Sequence, residues 1–236
     1  MDQFARTAML LGWDNIEKLK NRRVAVFGIG GVGGYCAETL CRTGIGALDL
    51  FDGDVVDITN INRQIIATHK TIGRDKAEVM RERLLEINPE IDARAYKLFY
   101  LPENAFEVDL SLYDYIVDAV DTMAAKLELV CRAAAFGVPV ISSMGAANRL
   151  DPTSFEVADI YETSVCPMAR IMRNELRKRG VAALKVVYSK KPPVKPQAEP
   201  GLDTQIRRQT PASTAFVPPV VGIIIASEVV KDLLAQ

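Results

Sequence analysis

The chain has 236 residues, which sets one domain with an appendage as the expected size class. Half of it is hydrophobic (49%) and a quarter charged (25%), ordinary for a globular protein, and a net charge of −1 excludes a surface that binds nucleic acid through its average charge. Any such site must be a local patch. The first residues carry Asp2 and Arg6 and no long apolar core, so no signal peptide is expected. The longest late apolar run, residues 220–226, is too short to span a bilayer. The four cysteines, Cys36, Cys41, Cys131 and Cys166, show no Cys-x-x-Cys spacing, which argues against structural zinc and for reduced thiols in a cytoplasmic protein.

Residues 4–7 read as an exposed arm with a lone arginine, Arg6, and residues 13–19 as a short helix. Residues 24–27, Val-Ala-Val-Phe, read as a buried strand that stops at Gly28. Gly30, Gly31 and Gly33 follow, and then residues 35–42 with helical spacing. A strand that turns on glycines into a helix gathers unpaired backbone N–H groups around a concave spot. The helix dipole adds partial positive charge there, so the spot suits a phosphate. A Cβ would block both the turn and the close approach. Residues 47–51 read as the second strand, ending at Asp52-Gly53-Asp54. An acid at that point, about twenty positions past the glycines, is where a ribose hydroxyl pair is bound. So far the pattern fits a nicotinamide dehydrogenase equally well.

The polar segment Asn60-Ile61-Asn62-Arg63-Gln64 precedes a helix expected over 74–87, closed by Asn88-Pro89. Lys76 falls in its first turn, where a cation opposes the helix dipole. A bound anion offsets such a cost; a solvated lysine is the plain alternative. A dehydrogenase gives no role to Arg63, Lys76 or Asp121. Residues 92–99 read as the third strand, 102–112 as a short helix and 115–121 as the fourth strand. Asp121 then falls at a strand's C-terminal end, where open parallel sheets place ligand groups. Asp118, inside the strand, reads as a hydrogen-bonded structural carboxylate. A helix over 124–136 and a strand over 139–143 follow. Strands alternating with helices imply an α/β fold, a doubly wound and mainly parallel Rossmann-like sheet.

The last third breaks that rhythm. Residues 155–160 and 184–188 read as strands of an added antiparallel extension, with a helix from Pro167 to Gly180 between them. Between 170 and 195 nine basic residues, among them Arg170, Arg173, Arg177 and Lys178, face one acid, Glu175. A charge run is usually a solvated face, but segregation on this scale is also what a phosphate-backbone track looks like. Residues 189–219 hold seven prolines and read as a long, mobile, partly disordered crossover loop and candidate lid. Residues 218–234 close the chain as an apolar helix. The chain is thus one domain, 1–236: an arm and helix over 1–22, a nucleotide-binding core over 23–150 and the extension over 151–236. His69, the sole histidine, has no nucleophile motif beside it and reads as structural.

Gly28-x-Gly30-Gly31-x-Gly33, Asp52, Asn60-x-Asn62-Arg63-Gln64, Lys76 and Val117-Asp118-Ala119-Val120-Asp121, in this order, resemble the ubiquitin-activating-enzyme-like adenylating superfamily. Arg6-Thr7 with Leu10-Leu11-Gly12, residues 141–146 (Ile-Ser-Ser-Met-Gly-Ala) and Asp151-Pro152-Thr153 resemble one branch, the tRNA threonylcarbamoyladenosine dehydratases. The resemblance implies that a carboxylate attacks the α-phosphate of ATP to give an acyl-adenylate. A nitrogen of the same modified adenosine then closes a hydantoin ring and expels AMP. It implies that Gly28, Gly30, Gly31, Gly33, Asp52, Asn60, Arg63, Gln64 and Lys76 bind the nucleotide, and that Asp121 holds Mg²⁺. It further implies that Arg6 reaches the site of the second subunit of a homodimer, and that tRNA is the substrate. A monovalent cation and a sulfur-transfer protein partner are left open. The rival reading within the superfamily is an activator of a ubiquitin-like sulfur carrier. It would use a cysteine, and Cys166, at a helix start beside arginines, is the candidate nucleophile; the hydantoin route needs none. An NAD-dependent oxidoreductase and a binding scaffold with a dead nucleotide site are the rivals from other classes.

Overall fold

Short apolar runs, bounded by glycine, proline and acidic residues, build seven strands. They are β1 (Arg23–Phe27), β2 (Ala47–Phe51), β3 (Asp92–Tyr96), β4 (Tyr115–Asp118), β5 (Val140–Ser143), β6 (Phe155–Asp159) and β7 (Lys185–Ser189). The helices are α1 (Ala5–Leu11), α2 (Trp13–Lys20), α3 (Gly33–Thr43), α4 (Lys76–Ile87), α5 (Met123–Phe136), α6 (Pro167–Lys178) and α7 (Val217–Ala235). The computed structural model describes residues 2–197 and 211–235. The strands form one sheet in the order β3-β2-β1-β4-β5-β7-β6, parallel throughout except for the β6–β7 pair. This is the doubly wound sheet with an antiparallel extension that the sequence implies.

Both faces of the sheet are covered. Val24 and Val26 of β1 point into a core shared with α3, α4 and α7. Ala25 and Phe27 point the other way, into a core shared with α5. Burial on both sides is why β1 reads as an unbroken apolar run rather than an alternation. The chain winds outward from β1 through β2 to β3, then returns to add β4 on the other side of β1. That reversal opens a crevice at the C-terminal ends of β1 and β4, where such sheets bind ligands.

Several boundaries differ from the sequence expectations. The arm over 4–7 is the start of α1, with Phe4 and Ala8 buried against Ile16. β3 stops at Tyr96, so residues 97–99 are loop. β4 stops at Asp118, which leaves Asp121 three residues beyond the strand rather than at its end. The helix expected over 102–112 is two single turns, Ala105–Glu107 and Leu110–Leu112. Polar side chains there capture the backbone: Asn104 Oδ1 accepts from Leu101 N, and Asp109 Oδ1 accepts from Ser111 N. Such local bonds compete with helix propagation. α7 begins at Val217, two prolines inside its first turn, so the crossover loop ends earlier than 219. The tip of that loop, 198–210, lies outside the described residues. Among the described residues no helix is long and apolar enough to cross a membrane.

Candidate functional site

At the end of β1 the chain turns on Gly28, whose φ is +88°. A Cβ there would lie 2.6 Å from the Ala119 carbonyl oxygen, because the loop after β4 packs directly on it. Gly33, the first residue of α3, sits against the Gly28 carbonyl oxygen, and a Cβ would collide with it. Gly28, Gly30 and Gly31 line a cleft of about 710 Å³ at the switch point. Gly33 does not line it; its role is the close contact between strand and helix that lets the loop form.

The same cleft brings together most of the polar residues singled out in the sequence: Asp52, Asn60, Arg63, Gln64, Lys76 and Asp121. Asp52, just past β2, accepts from Ile29 N at 2.7 Å and from Asp54 N at 2.8 Å. Burial pushes its carboxyl above the ordinary aspartate value, outweighing the Asp54 amide, Lys76 and the Ile29 amide, which pull it down. Lys76 is the first residue of α4 and is buried. Its Nζ lies 2.8 Å from Asp54 Oδ2, a half-exposed carboxylate that the sequence reading gave no role. The ammonium thus has an internal counter-charge that an incoming anion can replace.

Asn60 and Arg63 are set by a turn that Asp57 caps, its Oδ1 accepting from Thr59 N. Asn60 Oδ1 accepts from Asp57 N at 3.2 Å, so the NH₂ group is the end available to a ligand. Arg63 donates to Thr59 O at 2.9 Å and to Asn62 Oδ1 at 2.8 Å. Burial lowers its pKa from the usual arginine value. Gln64 is buried, and its Oε1 has no hydrogen-bond partner among the described residues, an orphan acceptor on the cleft wall. Asp121 is exposed at the mouth, with only a long 3.4 Å bond from Thr122 Oγ1. The cleft is also walled by residues 145–146 of the 141–146 motif and by Pro211, Ser213 and Pro218 from the 189–219 stretch, while residues 98–101, Ala147 and Met168 had no site role in the sequence.

Other candidates fall elsewhere. Arg6 is exposed on α1 and does not line the cleft of its own chain. Asp118 is fully buried, accepting from Ser142 Oγ and pairing with Lys126, as a structural carboxylate should. His69 is exposed in a turn away from the cleft lining. Cys166 precedes α6, is 2% exposed and packs among Met172, Leu176 and Leu184. Much of the basic window is internally neutralised: Lys178 and Arg179 pair with Glu175, Lys185 with Glu228 and Asp232, Lys190 with Glu156 and Lys191 with Asp151. Arg173 donates to Thr163, and Arg177 lies 5.3 Å over the Tyr161 ring. Met168, at the start of α6, lines the cleft, so the basic helix begins where the cleft opens.

Glycines, the Asp52 carboxylate and the cations Arg63 and Lys76 thus share one crevice at the switch point of the sheet. The ThiF family matches residues 4–236. A Bacillus subtilis (strain 168) protein named tRNA threonylcarbamoyladenosine dehydratase is 42% identical over 242 residues, spanning 99% of this chain and 95% of the relative. The Escherichia coli TcdA structure, described as tRNA N6-threonylcarbamoyladenosine dehydratase in complex with AMP, superposes with a TM-score of 0.89. It is 32% identical and spans 99% of this chain and 94% of that one; the same protein is described in complex with ATP. A sulfur carrier protein adenylyltransferase from Thermus thermophilus aligns over 64% of this chain at 32% identity. The chain belongs to the ThiF family, in its tRNA threonylcarbamoyladenosine dehydratase branch.

Proposed function

We infer that this chain uses ATP to dehydrate threonylcarbamoyladenosine in tRNA, closing the threonyl side chain into a hydantoin through an acyl-adenylate. The observation that carries the reading is the convergence of Asp52, Arg63, Lys76 and the glycine loop in one cleft. A full-length relative at 42% identity bears the dehydratase name. Oxidoreduction would leave the two cations unused. The sulfur-carrier reading loses its nucleophile, since Cys166 is buried in an apolar cluster and does not line the cleft.

The roles follow from charge and position. Ionised Asp52 can accept from the ribose hydroxyls. The N–H groups at the start of α3 face the phosphates, and Asn60 donates to them. Arg63 and Lys76 neutralise the charge that builds on the α-phosphate as the carboxylate attacks; nucleotidyl transfer needs this more than covalent help. Phosphate oxygens would displace Asp54 from Lys76. The attacking carboxylate oxygen bonds to the α-phosphorus and pyrophosphate leaves. The adenine N6, the urea nitrogen remote from the threonyl Cα, then attacks the activated carbonyl and gives up its proton, closing the five-membered ring, and AMP departs with that oxygen. Among the described residues no three His, Cys, Asp or Glu side chains gather around a point that could hold a metal. Asp121 lines the cleft with a single long hydrogen bond, which leaves its oxygens open to a Mg²⁺ that would fill the rest of its shell with phosphate oxygens and water. Such an ion would supply charge neutralisation at the phosphates.

Two features favour a homodimer that shares Arg6 across its interface. Arg6 lies outside its own cleft, and Met9, Leu10 and Trp13 on the same segment are 84%, 89% and 48% exposed. Exposed large apolar groups in a cluster mark an interaction surface. Arg170 and Arg177 of α6, the helix whose first turn carries Met168 of the cleft lining, are the basic groups offered to the tRNA backbone, with Lys178 and Arg173 partly committed to internal bonds. A tRNA substrate supports a cytoplasmic location. Incubation with ATP, Mg²⁺ and threonylcarbamoylated tRNA, followed by nucleoside mass analysis, tests the reading. Loss of one water from the modified nucleoside is expected; an unchanged mass with ATP consumed would contradict it.

A further inference from the structure

One buried charge has no part in the chemistry above. Lys126 is the fourth residue of α5 and is fully buried, at the end of the helix where the dipole disfavours a cation. A core position of this kind is ordinarily apolar, since burying an ammonium is costly unless it is paired and hydrogen-bonded. Its partners all lie directly beneath the cleft. Nζ is 2.9 Å from Asp118 Oδ2 and donates to the Val120 carbonyl oxygen at 3.1 Å. Asp118 Oδ1 in turn accepts from Val120 N at 3.3 Å, and its Oδ2 accepts from Ser142 Oγ of β5. Val120 is therefore held at both its N–H and its C=O by one buried ion pair. The next residue is Asp121.

The same segment is braced from the other side. Gly28 lies so close that a Cβ would be 2.6 Å from Ala119 O and 3.0 Å from Val120 N. Residues 119–121 thus run between the phosphate loop and the Lys126–Asp118 pair, and they line the cleft. β4 ends at Asp118, so no sheet bond carries Asp121. The segment is held upstream by Ala119 N, which donates to Phe27 O at 2.9 Å, and this network then grips Val120, the residue next to Asp121.

We propose that Lys126 is a positioning residue for the adenylation step, holding the Val120–Asp121 segment against the nucleotide loop through Asp118 and the Val120 carbonyl. The proposal rests on the reading that Asp121 acts on the phosphates. A buried pair is retained here for geometry rather than for stability, which predicts a split between the two. Removing Lys126 alone strands the Asp118 carboxylate and destabilises the fold. Removing both charges, in Asp118→Asn with Lys126→Met, relieves that cost but leaves the Val120 carbonyl without its donor.

The test compares wild type, Lys126→Met, the Asp118→Asn/Lys126→Met double variant, and Asp121→Asn as a control. It measures melting temperature, AMP affinity, and the kcat and KM for ATP of tRNA-dependent pyrophosphate release. The double variant is expected to melt near wild type and to bind AMP within about threefold. Its kcat should fall about 10- to 100-fold with KM for ATP little changed, the size of loss that misplacing a group by an ångström produces. Wild-type kcat in the double variant would overturn the proposal. So would a double variant that no longer folds, since that assigns the pair to the fold itself. Full activity of Asp121→Asn would instead remove the reading on which the proposal rests.

Discussion

At the scale of single residues, Asp52 holds two opposed requirements. Burial raises its carboxyl pKa in the folded protein, so ionisation works against folding. Its contribution to stability is fully present below the ordinary aspartate pKa and is lost as pH rises through the raised value. In the proposed role, ribose binding needs the ionised form, because a carboxylate accepts from both hydroxyls. AMP affinity should therefore weaken on acidification, starting at a higher pH than an ordinary aspartate would give. Asp52→Asn should weaken AMP by about 1.5–3 kcal/mol at neutral pH, the value of a charge-assisted hydrogen bond, and flatten the pH dependence. Calorimetric titration from neutral to mildly acidic pH checks both. Cys166 gives a simpler contrast. It is 2% exposed and lies outside the cleft lining, so Cys166→Ser should keep tRNA dehydration within about twofold while costing about 1–3 kcal/mol of stability, because it buries a hydroxyl in an apolar cluster. Lost dehydration in a folded Cys166→Ser protein would restore a sulfur intermediate.

At the scale of elements, the strand–loop–helix unit of β1 and α3 separates two uses of glycine. Gly33 is packed on the Gly28 carbonyl, so Gly33→Ala should cost about 3 kcal/mol or more, read by chemical denaturation. Gly30 has ordinary room, with Gln64 Nε2 at 3.8 Å from a built Cβ, but it lines the cleft. Gly30→Ala should fold normally and lose AMP binding. A destabilised Gly30→Ala with intact binding would reverse the assignment. This unit was legible in the sequence because its glycines answer to backbone geometry. So was Lys76, whose place in the first turn of α4 is unfavourable without a counter-charge. Its partner Asp54 was not, since an acid in a loop carries no periodic signal. The cleft wall 98–101 was missed for the same reason. The end of β4 was misplaced because Ala119 and Val120 are apolar enough to continue a strand, while contacts with Gly28 and Lys126 turn the chain away after Ala119. Charge patterning also misled in part: the basic window is real in sequence, but Glu156, Asp151, Glu228 and Asp232 from distant segments neutralise several of its lysines.

At the scale of the whole molecule, the reading requires two chains and one chemical event. If Arg6 serves the partner's cleft, Arg6→Ala and Asp121→Asn should each be inactive as homodimers. Mixing them after subunit exchange should restore about a quarter of wild-type activity, since half the dimers are mixed and each holds one complete site. No restoration would place Arg6 in its own cleft or outside the reaction. The proposed event is the formation of a mixed anhydride between AMP and the threonyl carboxylate in the cleft lined by Arg63, Lys76 and the glycine loop. The most direct measurement supplies threonylcarbamoylated tRNA labelled with ¹⁸O in both carboxylate oxygens and follows the label by mass spectrometry. The account predicts that one ¹⁸O appears in AMP and the other stays in the hydantoin. Unlabelled AMP with dehydrated tRNA would contradict it.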